Sequence, residues 1–185
     1  MSATLTTQLV PAGTWAIDPA HSRVGFAVKH LGIATVRGTF ENFSGTLVVG
    51  EDLATSTATA TIEAASVNTA EEQRDAHLRS ADFFDAEANP EITFVSTKVE
   101  REDESTWLIT GDLTIKGVSK PVTLEFESTG SARDPFGNLR VGFEGAATIN
   151  RKDWDLTWNA ALETGGVLVS EKIKLEFDVS AIKTV

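Results

Sequence analysis

Near neutral pH the side chains best able to move a proton are the three histidines, His21, His30 and His77. His30 closes the stretch "SRVGFAVKHLG", in which Val24, Phe26 and Val28 take one side of an alternating strand and Arg23, Gly25, Ala27 and Lys29 the other. Continuing the alternation sets the imidazole on the apolar side, where it must find a hydrogen-bond partner or lie neutral. Two readings follow. It meets the polar part of a bound molecule or a water inside a barrel, or it bonds a neighbouring backbone group or carboxylate and closes the barrel end.

His77 lies in "RDAHLRS". Arg74 and His77 are three apart and share a helix face, while Asp75 and Arg79 are four apart and can pair. The first pair could anchor a phosphate or carbonyl head group at a cavity mouth. Alternatively the cluster fastens the helix across the barrel, with Leu78, Phe83 and Phe84 as an apolar plug. Asp18 and His21 in "DPAHS" read as a turn after Pro19. Arg151 in "INRKDW" ends a strand, free to pair either an acid or a head group.

These groups suit binding better than turnover. The sequence has no G-x-S-x-G elbow, P-loop or H-E-x-x-H. The histidines lack metal-ligand spacing, there is no cysteine, and the Asp75–His77 pair has no nucleophile assigned to it by sequence. No catalytic residue and no metal ligand is expected.

Strands must position this chemistry. At 185 residues with 41% hydrophobic content the chain fits one domain with a sizeable core. No apolar run approaches the roughly 20 residues needed to span a bilayer. A net charge of -11 repels nucleic acid. Residues 1–13 read as a polar tail without the basic and apolar regions of a secretory signal, so a cytoplasmic location is expected. From 14 to 185 period-two alternation dominates: "TATATIE" offers only Ala58, Ala60 and Ile62 to its apolar side, and "TWLITGDLTI", "VTLEFE", "LRVGF", "DWDLTW" and "KIKLEFDV" alternate likewise. One stretch breaks the period. Thr69 with Glu72 three residues on reads as a capping box opening a helix over 70–80, followed by a turn at 81–85. The expected fold is all-β: about eight antiparallel strands in a sandwich or closed barrel, with a helical excursion near 70–85.

Six motifs in order, "DPAHSRVGFAVKHLG", "VRGTFENFSGTL", "VNTAEEQRDAHLRSADFFD", "PEITFVST", "LITGDLTIKGVSKPV" and "TINRKDW", make the chain resemble the YceI-like family from Gly13 to Lys183. The resemblance implies a lipocalin-like barrel enclosing a long apolar ligand, such as a polyprenyl lipid or isoprenoid quinone, and it allows a homodimer. Inward residues then line the cavity: Phe26, Val28, His30 and Phe40; Ala60, Phe94 and Ile115; Phe126 and Phe143. Leu78, Phe83 and Phe84 join them from the helical segment, and Trp154 and Trp158 from the segment before the last strand. Arg74, His77 and Arg151 are the head-group candidates. Two other readings stay open: a lipid-modifying or isomerase-like enzyme using His30 or His77, and a filled barrel acting by protein contact.

Overall fold

The computed structural model describes residues 10–163 and 165–184. Eleven strands form one antiparallel sheet. They are β1 (Gly13–Ile17), β2 (Arg23–His30), β3 (Ala34–Phe40), β4 (Phe43–Val49), β5 (Thr57–Glu63), β6 (Val67–Asn68), β7 (Glu91–Arg101), β8 (Thr106–Ile115), β9 (Val118–Arg133), β10 (Leu139–Asn150) and β11 (Val169–Lys183). Eight of them, in the order β1-β4-β5-β7-β8-β9-β10-β11, close into a barrel when β1 pairs β11, with Trp15 opposite Lys183 and Ile17 opposite Ala181. The expected barrel is therefore the fold. The earlier part of β11 pairs β2, which pairs β3, which in turn pairs β6. Closure leaves the ring without an exposed edge.

The alternating rows point as read. Trp107, Ile109, Leu113 and Ile115 of β8 are buried on the inner face, as are Val141 and Phe143 of β10. Several inward positions hold glycine, and aromatic rings from the neighbouring strand lie over them. A Cβ on Gly38 would fall 2.4 Å from the Phe26 ring, one on Gly111 2.5 Å from Phe94, and one on Gly145 2.4 Å from Phe126. Each ring lies against the wall instead of crossing the lumen, a packing only glycine allows.

Three local expectations are corrected. The helix, α1, runs Glu72–Arg79 with Glu71 as its cap, accepting from the Arg74 amide at 2.5 Å. Thr69 is no cap: its amide and hydroxyl both donate to buried Asp75, and left-handed Ala70 (φ 63°) turns the chain before the helix begins. Asp75 therefore does not pair with Arg79, whose guanidinium donates to the carbonyls of Ala65 and Val67. "DWDLTW" is no strand; Arg151–Trp154 form a 3-10 turn ended by left-handed Asp155 (φ 62°). Of the expected tail, residues 1–9 lie outside the described residues, and Val10 is buried.

Candidate ligand-binding site

The two ends of the barrel differ in what connects the strands. One end carries the turns between β4 and β5, β7 and β8, and β9 and β10. The other carries the 64–90 connection with β6 and α1, the 151–168 connection, and the β2–β3 tip. A cavity of about 300 Å³ opens at this second end, the mouth. Below it lies a cavity of about 180 Å³ inside the ring. Phe40, Ile92, Ile115 and Leu175 line both, so the two abut.

Every candidate residue lines one cavity or the other. The outer cavity gathers Phe26, Val28 and His30 from β2, Leu78, Phe83 and Phe84 from α1 and the turn after it, and Trp154 and Trp158 from the 151–168 connection. The inner one takes Ala60, Phe94, Phe126 and Phe143. Phe40 and Ile115 belong to both. The inner wall carries no charged side chain among the described residues. The outer wall carries Lys29, Arg74 and Arg151 with His30 and His77, and no carboxylate among the described residues. In a chain of net charge -11 that distribution is informative: the mouth admits polar or negative groups and the interior admits neither.

The polar residues at the mouth are held in different ways. Arg74 donates through Nε to Thr69 Oγ1 at 2.7 Å and through Nη2 to the Thr69 carbonyl at 2.8 Å, while Thr69 in turn bonds Asp75. α1 is thus fixed by polar bonds; Asp75 is its only buried residue. His77 Nε2 lies 2.8 Å from Asp82 Oδ2, and its ring meets Trp158 edge-on at 4.6 Å and Phe83 at 5.1 Å. His30 is half-buried on the outer wall, and among the described residues its imidazole makes no hydrogen bond. The bond required by the barrel-closing reading is not formed there.

Arg151 lines the outer cavity, but it pairs with no acid: its buried guanidinium donates to the carbonyls of Ser170 (2.9 Å), Leu156 (2.7 Å), Trp158 (2.8 Å) and Val169 (3.4 Å). Leu156 and Trp158 lie in the 151–168 connection and Val169 and Ser170 begin β11, so Arg151 ties the connection to the start of the last strand. Burial lowers its pKa from the usual arginine value, and the charge of Glu171 opposes that. Trp154 pins the same connection to the barrel through Nε1, 2.8 Å from the Leu113 carbonyl.

Sequence reasoning left several wall residues outside the site. Val36, Ile149 and Leu156 line the outer cavity. Ile173 and Leu175, which alternate with charged residues in "KIKLEFDV", line it as well. Lys29 lies on the outward parity of β2 yet reaches the outer cavity near the strand's end, and no period-two signal could reveal that.

A family model described as the YceI-like domain matches residues 15–181. A UPF0312 protein of Staphylococcus epidermidis is 40% identical over 161 residues, covering 86% of this chain and 91% of that one. The Campylobacter jejuni YceI protein superposes with a TM-score of 0.72 at 34% identity, covering 85% of this chain and 90% of that one. Burkholderia cenocepacia BcnA (TM-score 0.77, 24% identity, 89% and 98% covered) shares the fold. So does a polyisoprenoid binding domain from Saccharophagus degradans (TM-score 0.69, 14% identity, 92% and 98% covered). With its barrel, its motif order and these matches agreeing, this chain belongs to the YceI family.

Proposed function

We propose that the chain binds a long-chain isoprenoid-type lipid in the barrel, for carriage, storage or sequestration. The observation that carries this reading is the pair of abutting cavities, apolar at depth and free of carboxylates among the described residues, with every cation and histidine of the wall at the mouth. A prenyl or acyl tail fits the inner wall. A carbonyl, hydroxyl or phosphate head group fits beside His30, Arg74 and His77. Burial of the tail stabilises by roughly 0.8 kcal/mol per methylene, so affinity grows with length until the inner cavity is filled. The Saccharophagus neighbour, a polyisoprenoid binding domain by name, agrees with a prenyl tail.

The enzyme reading has one observation in its favour, the 2.8 Å His77–Asp82 pair, which resembles an oriented general base. The nearby Ser80 hydroxyl, however, donates to the His77 carbonyl and not to its ring. No nucleophile is aligned with that ring among the described residues, and binding is the better-supported function.

Mass spectrometry of organic extracts from the purified chain tests the proposal. A co-purifying prenyl lipid, or stoichiometric uptake of one from detergent micelles, is expected. Failure of both would overturn it. For the enzyme alternative, His77→Gln should abolish turnover while leaving lipid affinity nearly intact.

A further inference from the structure

Exposed large apolar side chains are few, and half of those identified gather at one place. Leu31 is 40% exposed, Ile33 82% and Val167 48%. Leu31 and Ile33 form the β2–β3 tip, and Val167 lies on the 151–168 connection beside it. The Leu31 amide donates to the Leu168 carbonyl at 2.9 Å, and Val169 stands opposite His30 in the sheet. His30, Leu168 and Val169 line the outer cavity, so this apolar edge is the rim of the mouth. The charge of the hairpin that forms the tip is also unusual, although the connection adds Glu163. From Arg23 to Phe40 the hairpin carries Arg23, Lys29 and Arg37 and no carboxylate, in a chain of net charge -11. Lys29 and Arg37 sit in the outward rows of the two paired strands; Arg37 is exposed, and Lys29, near the tip, reaches from its outward position to the cavity mouth.

We infer that this rim is a membrane-docking edge: Leu31, Ile33 and Val167 enter the acyl boundary of a bilayer while Lys29 and Arg37 meet anionic lipid head groups. The inference rests on the proposed lipid-binding function, because it explains how a bilayer-resident ligand reaches the cavity. A shallow apolar insertion combined with basic residues is the usual chemistry of an interfacial anchor. Docking by the rim sets the mouth against the lipid surface, so a lipid tail enters the barrel without crossing bulk water.

Vesicle flotation provides the test, with phosphatidylglycerol vesicles and neutral phosphatidylcholine vesicles and prenol uptake from detergent micelles as a parallel reading. Wild type should float with phosphatidylglycerol vesicles, more weakly with neutral ones, and less at high salt. Ile33→Asp should weaken vesicle binding at least roughly tenfold, since a charge replaces an inserted side chain. Uptake from micelles should stay intact. Arg37→Glu should weaken binding to anionic vesicles only. Phe136→Asp is the control: Phe136 is 89% exposed in the β9–β10 turn at the opposite end, and its replacement should change nothing. Wild type binding neither vesicle, or Ile33→Asp binding as wild type does, would overturn the docking edge; retained micelle uptake would leave the cavity reading standing. Loss of micelle uptake by wild type with vesicle binding intact would instead overturn the cavity reading. If Ile33→Asp turns a dimer into a monomer and neither form floats, the rim is a contact between copies and the inference fails.

Discussion

The closed end of the barrel and its mouth are built from the same strands but held by different forces. At the closed end Trp15 is fully buried, Val141 is 1% exposed, and Arg140 bridges Asp18 and Asp134, each at 2.8 Å. Ser22 and Ser180 exchange hydrogen bonds there, and the Thr184 amide donates to the Thr14 carbonyl, tying the first strand to the last. At the mouth, Leu78, Phe84 and Trp158 are only half-buried, and α1 is fastened by the Arg74–Thr69–Asp75 chain more than by apolar packing. Stability is concentrated where the ring closes. The mouth keeps its apolar side chains partly open, as a binding surface must, and low local stability is common in such segments.

The largest expected effect separates the ends directly. Trp15→Ala should cost about 3–5 kcal/mol of stability, read from chemical denaturation, because it opens a void in a sealed core. Trp158→Ala should cost under about 2 kcal/mol, since that side chain is already partly exposed, while weakening lipid binding clearly. Equal costs at both ends would erase the contrast. Next comes Ala60→Trp, which places an indole in the inner cavity; prenol uptake should fall at least tenfold with about 1–3 kcal/mol or less of stability lost. Unchanged uptake would show that the ligand never reaches that depth.

Acid should act on the closed end first. The hydrogen bond from Arg140 holds the Asp134 carboxyl far below the usual carboxylate range, and Arg140 followed by His21 lowers that of Asp18. Both groups therefore bind protons more weakly when folded than when unfolded, and the unfolded state takes up more protons in acid. Their stabilisation is complete above about pH 4 and is lost as pH falls toward the lowered folded values. Arg140→Leu should lower the melting temperature at neutral pH and flatten its decline below pH 4. A melting profile of wild-type steepness in this variant would refute the assignment. The smallest effect is expected for Arg74→Gln: a few-fold loss of affinity for a phosphate-headed prenyl lipid, with a headless prenyl hydrocarbon unaffected. Equal losses for both ligands would make Arg74 a purely structural fastener.

The strands and their inward rows were legible because side chains alternate with period two and one face must leave water. That ground put Phe26, Ala60 and Phe143 on the apolar faces of their strands, and the family resemblance made those faces the walls of a lumen. The closure of β1 onto β11 joins residues 170 apart, and no local pattern encodes such a pairing. The capping box misled because it matches only side-chain types, whereas Asp75 captured Thr69 and the backbone at Ala70 left the helical region. "DWDLTW" misled for a related reason: its alternation serves one wall of a cavity from a 3-10 turn and an irregular segment, with no ladder. Arg151 was read as a candidate for recognition because an arginine in an apolar setting suggests a charged partner. Carbonyls without ladder partners satisfied it instead. The inward glycines at Gly38, Gly111 and Gly145 were the available signal for rings flattened against the wall, and hence for an open interior.

Binding across a ladder of prenyl alcohols, measured by displacement of a fluorescent lipid from wild type and from Ala60→Trp, tests the central claim most directly. Affinity should climb with each added isoprene unit to a limit, and Ala60→Trp should reach its limit at a shorter chain. Affinity that does not depend on chain length, or an identical limit in both proteins, would contradict a lipid tail held in the barrel.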